Sequence, residues 1–115
     1  MVSLKRKKPA APQPPMRRLA APRVMTMPLT EVFEKRRTSR DFSDETVSDE
    51  DLAAVLWAAY GINRKDGRRT TPSAMNWQEI DLYVVKANGV WLWDAKNSAL
   101  VFVKDHDRRK DLCLW

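Results

Sequence analysis

Two stretches of the chain repeat apolar residues at the spacing of an α-helix. The first begins at Pro28, and Leu29, Val32 and Phe33 lie three and four positions apart, so that they share one face of a helix. Pro28 suits the first turn, because the N–H that proline lacks would have no partner there. The pattern predicts a helix over residues 28–35.

The second helix is predicted over residues 49–60. Ser48 precedes it and Asp51 follows three positions later, a variant of the capping box in which side chains bind the backbone N–H groups at a helix start. Gly61 is the expected residue after the C-terminus, where glycine commonly takes a left-handed conformation. The spacing predicts a buried stripe of Leu52, Val55, Leu56 and Ala59.

Strand patterns occupy the C-terminal part of the chain. Residues 80–86 combine alternation with β-branched side chains, and residues 90–93 form the expected return strand after Asn88-Gly89, a dipeptide typical of type I′ hairpin turns. Residues 100–103 are a third, short apolar strand candidate. The sequence therefore predicts an α+β fold with two helices and a small antiparallel sheet.

The first 25 residues differ in composition from the rest of the chain. They hold seven basic residues, no acidic residue and five of the seven prolines, and they carry all of the net charge of +6. Such a segment buries too little apolar surface to offset its ordering entropy, which predicts a disordered arm over residues 1–25. The arm is either a solvated leader or an electrostatic tether to an anionic surface. No aromatic residue is interleaved with its charges, so we expect no nucleic-acid partner.

Several classes of protein are disfavoured by the composition. Cys113 and His106 are single, so the chain has no intrachain disulfide and too few ligands of these types for a zinc site. No G-x-S-x-G nucleophile motif is present. No apolar stretch is long enough to span a membrane, and the early cations run into Pro-Ala-Ala-Pro where a signal peptide would be apolar. We expect no metal, no membrane partner and a cytoplasmic location.

Two polar segments are candidates for chemistry. Residues 36–42 place three guanidiniums and two hydroxyls at a helix end, and such groups bind phosphate. Residues 72–78 offer a proline-fixed turn with Ser, Asn and Gln side chains, which can hydrogen-bond the polar edge of a planar heterocycle. Composition alone favours a solvated basic turn for the first segment and an ordinary capped turn for the second.

The order of these segments resembles the nitroreductase family. Residues 36–42 match its opening motif R-R-S/T-x-R-x-F, and Asn76 and Gln78 match its P-S-x-x-N-x-Q pattern. Residues 56–74 are similar to the run L-W-A-A-x-G-x-N-R … D-G-x-R-T-x-P-S-A of one subgroup. The resemblance covers about residues 19–109.

The resemblance implies an FMN enzyme that moves hydride from NAD(P)H, through the flavin, to a nitroaromatic, quinone or similar small acceptor. It implies a homodimer with FMN at the interface. One segment would hold the FMN phosphate, ribityl chain and pyrimidine edge, and the other would reach the flavin from the partner subunit. The implied FMN-binding residues are Arg36, Arg37, Thr38, Arg40, Pro72, Ser73, Ala74, Asn76 and Gln78. The flavin carries the chemistry, so no catalytic side chain is expected.

Members of the family are substantially longer than this chain. Residues 26–115 are therefore expected to be the N-terminal part of a nitroreductase-like domain, with the C-terminal half absent and the fold partial. The alternative function is that of a truncated, catalytically inactive remnant or interaction fragment of such an enzyme. The subgroup includes exported members, which leaves an exported location open beside the cytoplasmic one.

Overall fold

The computed structural model describes residues 14–112 and confirms the α+β fold class. The elements below are numbered in chain order. They are strand β1 (Met16–Arg18), helices α1 (Leu29–Lys35) and α2 (Asp49–Tyr60), a 3₁₀ turn (Ala74–Asn76), strands β2 (Tyr83–Lys86), β3 (Gly89–Asp94) and β4 (Ala99–Lys104), and the short helix α3 (Arg109–Leu112). None of the helices in residues 14–112 is long and apolar enough to cross a membrane.

The strands form one antiparallel sheet in the order β1-β4-β3-β2. The predicted hairpin is confirmed, but its turn is not at Asn88-Gly89. Lys86 pairs with Gly89, so the two-residue loop is Ala87-Asn88, and Asn88 has no positive φ. Gly89 lies in the strand at φ 134°, where an added Cβ would stand 2.4 Å from the carbonyl oxygen of Lys104. The close approach of β4 therefore explains this glycine better than a type I′ turn does.

Composition predicts a disordered arm over residues 1–25, and this prediction is wrong for the part that forms β1. Residues 1–13 lie outside the described residues, but β1 pairs with β4 from Met16 opposite Val101 to Arg18 opposite Ala99. The pairing satisfies backbone groups along an edge of β4 that would otherwise be open. Composition misses it, because backbone hydrogen bonds do not depend on how apolar the side chains are.

Ion pairs fasten the same segment to the start of α2. Arg17 Nη2 lies 2.5 Å from Asp49 Oδ2, and the guanidinium of Arg23 binds the carboxylate of Asp51. The backbone N–H of Arg23 also donates to the carbonyl oxygen of Glu50 at 3.2 Å. The helix N-terminus attracts carboxylates, so α2 presents the acidic partners for both arginines.

Helix α2 has the predicted length and the predicted start. Ser48 Oγ accepts a hydrogen bond from the Asp51 N–H at 3.1 Å and donates to the Asp51 carboxylate at 2.7 Å. Gly61 ends the helix in an extended conformation, at φ −79°, and not in the left-handed one that is common for glycine at a helix end. A Cβ there would lie 2.5 Å from the Trp57 carbonyl oxygen, so close packing demands the glycine.

The core lies between α2 and the sheet. Leu56, Trp93 and Leu100 form its buried centre. The buried face of α2 differs from the predicted stripe, since Val55 is 62% exposed and Ala59 is also exposed. The residues of α2 that are buried are Ala53, Ala54, Leu56 and Tyr60. Apolar residues lie on more than one side of this helix, so their spacing does not decide which side meets the sheet.

Helix α1 forms over residues 29–35, close to the prediction, with Pro28 just before its first turn. Its apolar face is not covered by the described residues. Leu29 and Phe33 are each 68% exposed, and Val32 is also exposed. The helix thus forms as the spacing predicts, but its apolar face, which the spacing predicts to be buried, is exposed in this chain.

Candidate functional site

The two candidate segments lie in different open pockets. Thr38, Ser39, Arg40 and Phe42 line a pocket of about 430 Å³. The second pocket, also of about 430 Å³, is lined by Pro72, Ser73 and Asn76 together with Arg64, Arg68, Arg69, Thr71 and Met75. Neither of these pockets contains residues of both segments, so within residues 14–112 the two segments line separate pockets.

The first segment follows the C-terminal end of α1. Arg36 ends the helix in an extended conformation, and its N–H donates to the carbonyl oxygen of Val32 at 3.0 Å. The four predicted site residues of this segment, Arg36, Arg37, Thr38 and Arg40, are all exposed. Cations at a helix C-terminus are favoured by the helix dipole, and an exposed cluster of guanidiniums and a hydroxyl can bind a phosphate group.

The second segment is a strained turn. Ala74–Asn76 form the predicted helical turn, but Met75 and Asn76 have φ values of 52° and 56°, and Gln78 follows at 51°. Left-handed conformations cost L-residues roughly 1–2 kcal/mol each. Three of them within four residues persist only where neighbouring groups hold the chain in place.

Hydrogen bonds from two of the predicted site residues hold this turn. Ser73 Oγ accepts from the Gln78 N–H at 2.8 Å and donates to Glu79 at 2.9 Å. The Gln78 amide group donates to Asn76 Oδ1 at 3.0 Å and to the Gly67 carbonyl oxygen at 3.2 Å. Ser73 and Gln78 therefore have a structural part in the turn that their place in the motif does not reveal. Pro72, Ala74 and Asn76 form the exposed part of the turn.

The loop before the turn contributes residues that the sequence analysis did not propose for the site. Arg69 Cζ lies 4.6 Å from the centre of the Tyr60 ring. The Arg69 guanidinium also donates to the Tyr60 carbonyl oxygen at 3.2 Å and to Gln78 Oε1 at 2.9 Å. Arg64 and Arg68 line the same pocket. In the sequence, Arg64 and Arg69 also occupy arginine positions of the nitroreductase-like run, whereas the signal for Arg68 is the density of cations between residues 64 and 69.

The described part of the chain contains no candidate metal centre. Among residues 14–112, no group of three or more His, Cys, Asp or Glu side chains is placed to hold a metal ion. The donors that line the two pockets are guanidiniums, hydroxyls and an amide, which suit phosphate, carboxylate and the polar edges of heterocycles.

Comparison with known proteins gives consistent matches. The family model described as "Nitroreductase family" matches residues 33–112. A curated protein of Methanocaldococcus jannaschii with a provisional nitroreductase name is 26% identical over 99 residues, which are 81% of this chain and 50% of that protein. A crystal structure from Ralstonia eutropha JMP134, also provisionally named a nitroreductase, has a TM-score of 0.76 and 31% identity over 89% of this chain and 52% of its own.

Both candidate segments lie inside these matches. Residues 36–42 and 72–78 fall within the 33–112 range of the family model. The chain spans about half the length of the two relatives.

Proposed function

This chain belongs to the nitroreductase family, and we propose that it forms part of an FMN-dependent oxidoreductase that acts as a homodimer. Membership makes flavin-dependent oxidoreduction the expected chemistry. The finer assignment is hydride transfer from NAD(P)H to a nitroaromatic, quinone or similar small acceptor. The observation that carries it is the pair of separate pockets, each lined by donors of the kind that one part of FMN requires.

The separation of the pockets supports a site made by two chains. Among the described residues, the segment that follows α1 and the turn at residues 72–78 line different pockets. In a symmetric dimer the cluster of one chain can meet the turn of the other, and the two-fold symmetry then makes two such sites. Each site is incomplete without the partner subunit.

The residues present fit FMN in their chemistry. When bound, FMN would supply the redox chemistry. Arg36 and Arg37 would hold its phosphate through charge-assisted hydrogen bonds, and Thr38 would bind the ribityl chain. Arg40 would lie at the pyrimidine edge, where a cation stabilises negative charge on the ring. Pro72, Ala74 and Asn76 of the partner chain would meet the ring from the other side.

The second candidate function is an inactive remnant or interaction fragment. It is favoured by the uncovered face of α1, where Leu29 and Phe33 are largely exposed. Flavin content separates the two functions directly. An FMN enzyme is yellow after purification, whereas a remnant that has lost the site is colourless.

The test of the proposed function is FMN binding by a pair of neighbouring variants. Arg36→Gln removes a cation from the phosphate cluster, and Lys35→Gln removes one from the preceding residue, where Lys35 Nζ pairs with Glu31 Oε1 at 2.5 Å. Loss of a charge-assisted hydrogen bond costs about 1.5–3 kcal/mol, so Arg36→Gln should weaken FMN binding by roughly 10- to 100-fold. Lys35→Gln should change it by less than about twofold.

The measurement is a titration of the apoprotein with FMN, followed by quenching of flavin fluorescence. Equal affinities of the two variants would remove Arg36 from the site. Absence of FMN binding by a protein of the relatives' full length that contains this chain would contradict the proposed function itself.

A further inference from the structure

The loop at residues 64–71, the arginine loop, forms one wall of the pocket beside the strained turn. Arg64, Arg68 and Arg69 line this pocket, and the turn supplies the other wall. We propose that the pocket binds the anionic group, a carboxylate or a phosphate monoester, of the small molecule that meets the flavin. This rests on the proposed function, because it takes the turn at residues 72–78 to lie beside FMN.

The first argument is the charge of the arginine loop. Residues 64–71 hold four basic residues and a single acidic one, Asp66. Asp66 Oδ2 lies 3.5 Å from Arg68 Nε. Among the described residues, no carboxylate forms an ion pair with Arg64 or Arg69. Like charges that lie close together repel each other, and an anion between them would relieve the repulsion. The pocket is thus electrostatically suited to a negative group.

The second argument is that the loop is fixed before any ligand arrives. Gly67 has a positive φ of 81°, and its N–H donates to the Arg64 carbonyl oxygen at 3.1 Å to close a turn. The Thr70 N–H binds the Gly61 carbonyl oxygen at 2.9 Å, and Gln78 ties the loop to the strained turn. A pre-organised site loses less entropy on binding than a flexible one.

The third argument concerns what kind of molecule the pocket accepts. Asn76 adds an amide group, whose N–H can donate, beside the guanidiniums, which suits an oxygen-rich anion. Met75 also lines the pocket and is 83% exposed, so an apolar surface lies next to the charged one. An organic anion with an apolar or planar body matches both surfaces, whereas an inorganic ion uses only one.

The phosphate of FMN is not the occupant in this assignment. The cluster proposed for that phosphate, Arg36 and Arg37, directly precedes Thr38, Ser39 and Arg40, which line a different pocket. The arginine loop is therefore available to bind a second ligand. The 2′-phosphate of a dinucleotide reductant and the carboxylate of an acceptor share the required chemistry, and the test separates these two sources.

The test uses two pairs of ligands that differ only in the anionic group, with the full chain and FMN present. NADP⁺ is compared with NAD⁺, and 4-nitrobenzoate with 4-nitrobenzyl alcohol, by titration calorimetry at low ionic strength. Arg64→Gln removes a cation that lines the pocket, and Lys65→Gln removes its neighbour, which does not line it. Flavin content is measured for every preparation.

The member of one pair that carries the additional anionic group should bind more tightly than its counterpart, and that pair identifies the source. Arg64→Gln should weaken binding of that ligand by about tenfold or more and leave binding of its counterpart without the additional group unchanged. Lys65→Gln should alter either affinity by less than about twofold. Binding of the anion should also weaken as salt is raised.

Three results would overturn the inference. The first is equal binding of the two members in both pairs. The second is an equal loss of binding of the anionic ligand in the Arg64 and Lys65 variants, which would indicate general surface charge. The third is loss of FMN in Arg64→Gln, which would assign the pocket to the flavin and leave the proposed function intact. A chain that contains no FMN but still prefers the ligand with the additional anionic group would support the assignment of the pocket and contradict the proposed function.

Discussion

The role of an arginine in this chain depends on the group that its guanidinium meets. Arg69 is held by an aromatic ring and neutral oxygens, and it fixes the loop to the strained turn. Arg17 and Arg23 meet carboxylates and fasten β1 and the segment after it to α2. Arg36 and Arg37 are exposed at the end of α1, where a ligand can reach them. The same side chain therefore has a positioning, a fastening and a proposed binding role.

At the residue scale, the carboxylate of Asp51 predicts a dependence of stability on pH. The hydrogen bond from Ser48, followed by that from Arg23, lowers the pKa of Asp51 below its ordinary value of 3.8. A carboxyl with a lowered folded-state pKa stabilises the fold above its unfolded pKa, and this contribution is lost as the pH falls through the folded pKa. The free energy of unfolding should thus decrease below about pH 4.

Substitution of Asp51 isolates this effect. Asp51→Asn should be less stable than the parent chain near neutral pH, and should lose less stability between about pH 5 and pH 3. Asp41→Asn, which removes an exposed carboxylate, is the control and should follow the parent profile. Urea unfolding at each pH measures both, and an Asp51→Asn profile parallel to that of the parent would show that this carboxylate is not linked to folding.

Sequence motifs located the candidate site but did not assign every residue in it. The Arg-rich segment and the Pro72–Gln78 turn could be predicted because each is a short run with distinctive side chains. The part that Gln78 plays in holding the turn could not, since it depends on Gly67 and Arg69, about ten positions away in the chain. The left-handed conformation at Met75 also could not be predicted from residue type, whereas Asn76 is of a type that tolerates this conformation.

At the scale of elements, local signals predicted most of the fold. Both main helices begin and end close to their predicted bounds because a capping residue or a proline marks each start. The β2–β3 hairpin was found because its strands are neighbours in sequence. Strand β1 was missed because its partner, β4, lies about eighty residues away, and no local pattern predicts such a pairing. The side of α2 that is buried was misjudged for the same reason.

Two substitutions at Arg17 separate the two ways in which β1 is held. Arg17 lies opposite Leu100 in the sheet, and its side chain pairs with Asp49. Arg17→Gln removes only the exposed ion pair and should cost less than about 1 kcal/mol. Arg17→Pro also removes a backbone N–H from the strand and should cost about 1–3 kcal/mol.

The measurement is the free energy of unfolding from urea denaturation. If the two variants are equally stable, the ion pair and not the strand pairing holds this segment. If Arg17→Pro is the less stable by the expected amount, the backbone pairing dominates.

At the scale of the whole molecule, the described chain has features that a second copy would complete. The apolar face of α1 is uncovered, and the two candidate segments line separate pockets. Leu29, Val32 and Phe33 directly precede the Arg-rich segment in sequence, so a partner that covered this face would also approach Arg36 and Arg37. The proposed dimer accounts for both observations with one interface.

The central claim is that each FMN site is made by two chains, and a mixed dimer tests it most directly. One variant combines Arg36→Gln with Arg37→Gln, which removes the phosphate cluster. The other combines Ala74→Trp with Asn76→Gly, which blocks the turn and deletes its amide, since glycine tolerates the φ of 56° at residue 76. The two chains are co-expressed with different tags, and FMN per dimer is measured by absorbance.

In a two-chain site, each variant alone loses both of its FMN sites. The mixed dimer contains one site that combines the intact cluster of one chain with the intact turn of the other, so it should bind one FMN per dimer. If each site were built within a single chain, every site in the mixed dimer would carry a damaged half. A mixed dimer that binds no FMN, beside an unmodified dimer that binds two, would contradict the account.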